Sequence, residues 1–259
     1  MNSTLNIAAG KKVYFASDAH FGLELYDTPI ASQQRFCAWM DSIKPDCGAL
    51  FLLGDMFDYW YEYRTVVPKG FVRFLGKVAE FTDSGIPVYI FYGNHDMWML
   101  DYLEKECGCT IVPDEWSGNI MGKRFYMEHG DGCGDPSLSF YFMRKFFRNK
   151  FAQWCFRWIH PDVTMWFGYL WSNKNRKRKK DSEAKEFLGE EKEFQIQWAK
   201  KHFAKHPETD YYIFGHRHIE LLFKLEHEGK EATMAILGEW ITKFTYGVFD
   251  GNEFKLLNW

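Results

Sequence analysis

Three runs, Val13-Tyr14-Phe15-Ala16, Ala49-Leu50-Phe51-Leu52-Leu53 and Val88-Tyr89-Ile90-Phe91-Tyr92, are apolar throughout, and each stops at once on Ser17, Gly54 or Gly93. Runs without alternation suit central strands buried on both faces. Between them, Pro29–Ile43 and Gly70–Ser84 carry apolar residues at roughly helical spacing, and the second stops at Gly85 just before Pro87. The alternation predicts a layered α/β sheet with functional residues beyond the carboxyl ends of its strands.

A second strand-rich half follows. Arg124–Glu128 leads into His129-Gly130-Asp131, and Tyr211–Phe214 leads into Gly215-His216-Arg217-His218. From Ile219 to Trp259, β-branched and aromatic runs alternate with turns at Glu228-Gly229 and Asp250-Gly251-Asn252, which predicts an antiparallel meander. Two sheets packed face to face with helices outside accommodate these elements.

The segment between the halves is different in kind. Leu138–Trp171 is dense in Phe, Tyr and Trp and breaks at His160-Pro161-Asp162, so two helices are expected there, with a third from Asp181 to Ala204 capped by Asp181-Ser182. Residues 138–204 thus form a helical insertion, a lid over the mouth of a site carried by a single domain of residues 1–259.

Composition narrows the class. A formal charge of −3 gives no general reason to expect nucleic-acid binding, and no stable protein partner is evident. Cations such as Arg144, Lys145, Arg148, Lys150 and Arg157 interrupt the most aromatic region, leaving no apolar stretch near the ~20 residues a membrane span requires. The six cysteines lack zinc-finger spacing, and the N-terminus carries no charged-then-apolar signal; a cytoplasmic protein with free thiols is expected. Cys107-Gly108-Cys109 is assigned no role, because cysteines one residue apart strain to form a bridge.

Five fragments carry the chemistry: Asp18-Ala19-His20, Gly54-Asp55-Met56-Phe57-Asp58, Gly93-Asn94-His95-Asp96, His129-Gly130-Asp131 and Gly215-His216-Arg217-His218. Each ends an apolar run with a metal-ligand side chain. Asp18 and His20 can turn to one ion as the chain leaves a strand, and a buried Asp55 carboxylate is costly unless cations compensate it. Asn94 adds a neutral ligand, His129, His216 and His218 add imidazoles, and His95 suits an electrophile oriented by Asp96. Any one of these is ordinary alone: a histidine can be a core or loop residue, Asp55 and Asp58 can cap helices, and Asp131 can form a turn. The ordered coincidence of all five points to a metal site. His160, His202, His206 and His227 fall outside the pattern and are read as surface or packing residues.

The ordered set resembles the calcineurin-like metallophosphoesterases, whose pattern D-x-H, GD-x-x-D, GNHD, H and GH-x-H stands intact over nearly the whole chain apart from the insertion. That resemblance implies a four-layer αββα sandwich. It also implies two divalent metal ions, manganese first with iron or zinc as alternatives: one on Asp18, His20, Asp55 and His218, the other on Asp55, Asn94, His129 and His216. A hydroxide held between the ions would attack phosphorus in line, with His95 stabilising the transition state or leaving group.

Within the family, Gly54–Trp60, Gly93–Trp98 and the position of the insertion look like the UDP-2,3-diacylglucosamine diphosphatases, which release UMP and 2,3-diacylglucosamine 1-phosphate. The best-described branch has arginine where this chain has His95. Burying acyl chains among insertion aromatics gains on the order of 0.8 kcal/mol per methylene, which favours a nucleotide-linked glycolipid substrate; the alternative is that those rings only pack the insertion. The basic run Lys174, Arg176, Lys177, Arg178, Lys179 and Lys180 suits peripheral attachment to an anionic inner-membrane leaflet, or else a solvated loop. Asn94, His95, His216, Asp135 and Ser172 are candidate substrate contacts. Competing functions are a dinuclear phosphodiesterase or phosphatase acting on a soluble substrate, and a catalytically silent scaffold.

Overall fold

A computed structural model describes residues 2–134, 145–147, 149–168, 170 and 186–259. In chain order the strands are β1 (Asn2–Leu5), β2 (Lys12–Ala16), β3 (Cys47–Leu52), β4 (Val88–Phe91), β5 (Thr110–Val112), β6 (Glu115–Ile120), β7 (Lys123–Glu128), β8 (Tyr211–Phe214), β9 (Glu220–His227), β10 (Lys230–Leu237), β11 (Thr245–Phe249) and β12 (Phe254–Asn258). The helices are α1 (Pro29–Ile43), α2 (Val72–Asp83), α3 (Tyr102–Cys107), α4 (Lys150–Phe156) and α5 (Phe194–Phe203), and residues 161–168 are also helical.

One sheet runs β12-β11-β2-β3-β4-β5 and the other β1-β6-β7-β8-β10-β9. The two-residue side-chain period sorts each strand between two layers. In β2 and β3, Val13, Phe15, Ala49 and Phe51 join Phe125, Met127, Ile213 and Leu237 of the other sheet in the central core. Their neighbours Tyr14, Ala16, Leu50 and Leu52 face Phe36, Trp39, Phe74 and Phe81 of α1 and α2. Across the molecule, Tyr126, Tyr212 and Phe214 pack beneath Ile196, Ala199 and Phe203 of α5. The order is helix, sheet, sheet, helix, as the family resemblance implies, and each large side chain buried this way contributes roughly 1.5–3 kcal/mol.

Helix α1 begins and ends where expected, with the Thr28 side chain accepting from the Ala31 N–H and Pro29 at its first turn, where a missing N–H costs nothing. Strands β2 to β5 are parallel, so their carboxyl ends share one edge. In the second sheet β7 and β8 are also parallel, and the Gly215 N–H bonds the His129 carbonyl at 2.9 Å just beyond them.

Two expectations are corrected. The tail is not one meander: β9 and β10 form a hairpin through Glu228-Gly229, both at positive φ, but β10 also pairs with β8, and the chain then crosses to the other sheet for β11 and β12. The third insertion helix does not run through residues 186–193, where Gly189 turns with φ +92° and Glu193 folds its side chain back onto the Leu188 N–H at 3.1 Å; α5 starts only at Phe194. The break at Pro161 is present, with the His160 ring accepting from the Asp162 N–H at 3.2 Å. Residues 138–144 and 171–185, and with them the basic run, lie outside the described residues.

Candidate metal centre at the strand ends

Five of the expected ligands sit on backbone that L-residues seldom adopt: φ is 55° at Asp18, 45° at His20, 52° at Asp55, 70° at His216 and 55° at His218. Left-handed residues cost about 1–3 kcal/mol each and persist only where surroundings enforce them. Here the enforcement is visible. Asp18 and His20 N–H groups bond the Gly54 and Asp55 carbonyls at 3.1 and 2.9 Å, and Gly93 lies so close to Asp55 that a Cβ there would fall on its carboxylate. At Gly215 an added Cβ would lie 2.7 Å from Asp18 Oδ2.

The side chains converge as two groups that share a neighbourhood. Asp18, His20 and His218 form one and Asp55, His129 and His216 the other, each with candidate ligand atoms within 4.8 Å of one another. His20 Nε2 and His218 Nε2 approach to 3.3 Å, and Asp55 Oδ2 lies 3.7 Å from His20 Nε2 and 3.5 Å from His129 Nε2, between the groups. Asn94 Oδ1 is 3.4 Å from His129 Nε2. All seven residues expected as ligands are therefore brought together.

A cation fits this donor set. His129 Nδ1 donates to the Leu53 carbonyl at 2.7 Å, which turns an unprotonated Nε2 toward the oxygens of Asp55 and Asn94. Asp18 Oδ2 accepts from Ser17 Oγ and the His216 N–H, but its Oδ1 is buried without a hydrogen bond, 3.2 Å from His218 Nε2. Lone pairs face lone pairs, an arrangement that positive charge relieves. Without metal, protons answer that demand: burial disfavours charge on His129, yet Asp55, Asp18 and Asp131 raise it well above the ordinary imidazole range. Burial likewise opposes the Asp55 charge, and His129, His95 and His20 outweigh it and hold the carboxyl well below its usual range.

Asp96 takes a different part from the one expected, the orientation of His95. The His95 ring stands edge-on to His20 at 4.8 Å between centroids, the His95 backbone N–H donates to Asp55 Oδ1 at 2.8 Å, and the ring Nδ1 donates to the Asp58 carbonyl at 2.9 Å. The Asp96 carboxylate turns away from that ring. It is fully buried and accepts from the N–H groups of Asp55, Met56, Phe57 and Gly93 at 2.8–3.2 Å, tying the two glycine loops together. Burial and the neighbouring Asp55 charge push it up to about 7 against those bonds. Orientation of His95 falls to Asp58, whose buried Oδ1 also lies 3.5 Å from His20 Nδ1. The GD-x-x-D spacing contained that signal, but a capping role reads the same way.

This cluster of candidate metal ligands sits on an αββα frame, and the profile of the calcineurin-like phosphoesterases matches residues 11–220. The chain belongs to that family. It is a hydrolase, as the family and its named relatives indicate. It is 40% identical over 255 residues to the UDP-2,3-diacylglucosamine hydrolase of Porphyromonas gingivalis (strain ATCC BAA-308 / W83), covering 95% of this chain and 96% of that protein. A second relative of the same name, from Edwardsiella ictaluri (strain 93-146), is 26% identical over 80% of this chain and 78% of its own length.

Beside the site of this phosphoesterase, the insertion docks on the tails of two motifs. Tyr61 OH donates to the Gln153 carbonyl at 2.8 Å, Trp98 Nε1 to the Phe147 carbonyl at 2.5 Å, and Gly168 lies so near the Tyr59 ring that an added Cβ would fall 2.6 Å from it. Phe147 and Phe156, partly buried, pack against Tyr61 and Trp98. Other rings of α4 and the turn after it do not pack inward: Phe151, Trp154 and Trp158 are 71%, 54% and 78% exposed. A cavity of about 610 Å³ opens there, lined by Trp98, Phe146, Phe151, Phe156 and Ile159 with Lys145 at its edge. Asp135 and Ser172 lie outside the described residues. Among the described residues no helix is long and apolar enough to cross a membrane.

Proposed function

We propose that this enzyme hydrolyses the pyrophosphate of UDP-2,3-diacylglucosamine, water adding to phosphorus and the P–O–P bond breaking to leave UMP and 2,3-diacylglucosamine 1-phosphate. The observation that carries the reading is the apolar cavity opening from Trp98, three residues after His95. Phosphate chemistry at the strand ends and a greasy compartment in the insertion suit a substrate with a charged half and an acyl half. The substrate named for the P. gingivalis relative has both.

The ligand residues would be Asp18, His20, Asp55 and His218 for one ion and Asp55, Asn94, His129 and His216 for the other. Bound there, two divalent cations, manganese foremost, supply Lewis acidity that neutralises phosphoryl oxygens and acidifies water. The protein does the rest. His95, fixed through Nδ1 on the Asp58 carbonyl and 19% exposed, offers Nε2 to the phosphoryl group or to the departing oxygen. Asp96 keeps the Asp55 and Gly93 loops in contact, so the shared carboxylate does not drift. The insertion, residues 138–204, acts as a lid that takes the acyl chains, each buried methylene contributing about 0.8 kcal/mol. The exposed rings of Phe151, Trp154 and Trp158 suit a cytoplasmic enzyme seated peripherally on the inner leaflet, where amphipathic aromatics partition well.

A soluble phosphodiester or phosphoprotein substrate makes the insertion structural only, and α4 argues against that because it has no buried residue. The test is direct: manganese-loaded protein should release UMP from UDP-2,3-diacylglucosamine far faster than nitrophenol from a generic diester. Replacing Trp154 and Trp158 together by Ser should raise KM for the lipid substrate and leave nitrophenyl turnover unchanged. A preference for the generic diester sinks the proposal.

A further inference from the structure

Between the two histidines of the last motif stands Arg217, and it does not reach for solvent. Its Nε donates to Glu193 Oε2 at 2.8 Å and its guanidinium NH2 to Glu193 Oε1 at 2.7 Å, a two-pronged pair in which the carboxylate is fully buried. The same NH2 reaches the Glu186 carbonyl at 3.3 Å, and Glu193 also accepts from the Leu188 N–H. One residue into α5, the Phe194 ring packs against His216 at 6.3 Å, and the fully buried Gln195 donates from Nε2 to the Gly215 carbonyl at 3.1 Å. The segment leaving the insertion and the start of α5 therefore grip the loop Gly215–His218 from one side.

That loop needs gripping. Both of its histidines are left-handed, and one belongs to each ligand group. A planar guanidinium held by two parallel bonds fixes the residue between them in position and rotation, which a single lysine-like contact would not do.

We propose that Glu193 is a positioning residue of the metal centre: through Arg217 it holds His216 and His218 in their left-handed conformations, and thereby sets the affinity for both cations. The proposal builds on the two-metal reading of the site. It assigns to the insertion's exit segment a part in the metal centre, since Glu186 and Leu188 share the Arg217–Glu193 pair.

The experiment titrates metal-stripped protein with Mn2+ and follows stoichiometry and affinity, alongside thermal melting of the metal-free forms. Glu193→Gln keeps shape and removes the charge; it should bind Mn2+ about 10–100-fold more weakly, as loss of an outer contact to a ligand typically does, with metal-free melting showing a folded protein. Because Glu193→Gln leaves the Arg217 charge without its counter-charge, a double variant, Glu193→Met with Arg217→Met, removes both charges at once and leaves none buried alone; it should show the same weakening. Wild-type Mn2+ affinity in a folded variant overturns the proposal, as does failure of both variants to fold, which would make the pair a folding element. Wild-type protein that binds no second ion would instead sink the two-metal reading itself.

Discussion

Replacing Asp18 by Asn tests the metal centre with almost no change of shape. Asp18 Oδ2 accepts from Ser17 Oγ at 2.6 Å and the His216 N–H at 2.9 Å, so the amide oxygen of the variant keeps that side. Its NH2 then takes the place of Oδ1, 3.2 Å from His218 Nε2 and 3.8 Å from His20 Nε2, where it donates to an imidazole lone pair. A hydrogen-bonded amide suits the metal-free site but gives up a charge that burial opposes and that His218, then His129, hold below the usual carboxylate range, so each protein's own metal-free melting is the baseline for its metal titration. The cation meets the opposite environment, because a donor N–H now occupies the position of an anionic ligand. At a free metal concentration one hundred times Kd, each bound ion stabilises the fold by about 2.7 kcal/mol. For a chain of this size that is a rise in Tm of roughly 5–10 °C per ion. Wild type should therefore bind two Mn2+ per chain with the full rise, and Asp18→Asn one, with about half of it. Turnover should fall by about 10³-fold if the lost ion supplied some 4 kcal/mol of transition-state stabilisation. Elemental analysis and metal-dependent melting read both quantities. An Asp18→Asn protein with two ions and an undiminished rise in Tm would refute the assignment.

His95→Asn should lower kcat by about 10²–10⁴-fold with KM little changed and two ions still bound; loss of an ion would make His95 a ligand, as its grouping with His20 and Asp55 within 4.8 Å allows. Far from the site, His202 lies between Trp198 and Tyr126, and its Nδ1 meets Tyr212 OH at 3.0 Å. Burial first, and then the neighbouring His206, push its pKa down from 6.5 to about 4. The folded state then binds fewer protons than the unfolded one between those values, so stability is whole above pH 6.5 and is lost as pH falls toward 4. Allowing for the solvent that reaches this ring, the loss from pH 7.5 to 5 is about 1 kcal/mol, and His202→Gln should lose that much less in urea titrations at the two pH values. Equal pH slopes for the two proteins would reject the reading.

What the amino-acid pattern discloses is uneven for physical reasons. The parallel strands β2, β3 and β4 are legible because burial on both faces leaves no polar position inside them, and the ligands are legible because polar residues follow such runs at once. Weakly patterned strands and short elements are not: β6, Glu-Trp-Ser-Gly-Asn-Ile, alternates too weakly to stand out, and α3 is a six-residue helix whose start is fixed from outside itself. Glu62, forty positions away, accepts from the N–H groups of Leu100, Asp101 and Tyr102 there. Likewise the crossing between sheets after Leu237 leaves no local mark, since the strands before and after it, β10 and β11, are of similar apolar character. The insertion was legible as aromatic, but whether its rings pack or face outward depends on which side the sandwich lies; Phe147 and Phe156 pack, and Trp154 and Trp158 do not.

The same limit explains the reassignment of Asp96. Asp18, Asp55, Asp58, Asp96, Glu62, Glu193 and Glu239 are all buried acids, and residue type alone cannot divide those that meet cations from those that meet backbone N–H groups. Coordinates divide them. Asp96 bonds four N–H groups of the loops carrying Asp55 and Gly93, and Glu239 bonds the N–H groups of Ile241, Thr242 and Lys243, one residue beyond Trp240, whose own N–H holds the Asp18 carbonyl at 3.1 Å. Glu193 holds Arg217. Five of the seven expected ligands are at positive φ, and Asp96, Glu193 and Glu239 are not. Strain of about 1–3 kcal/mol at each of five ligands would collapse a free loop, and charge-assisted hydrogen bonds of about 1.5–3 kcal/mol each are of the size needed to oppose it. A second set of carboxylates behind the first is therefore what a five-fragment centre of this kind requires. Removing a holder should loosen the metal without removing any atom that touches it.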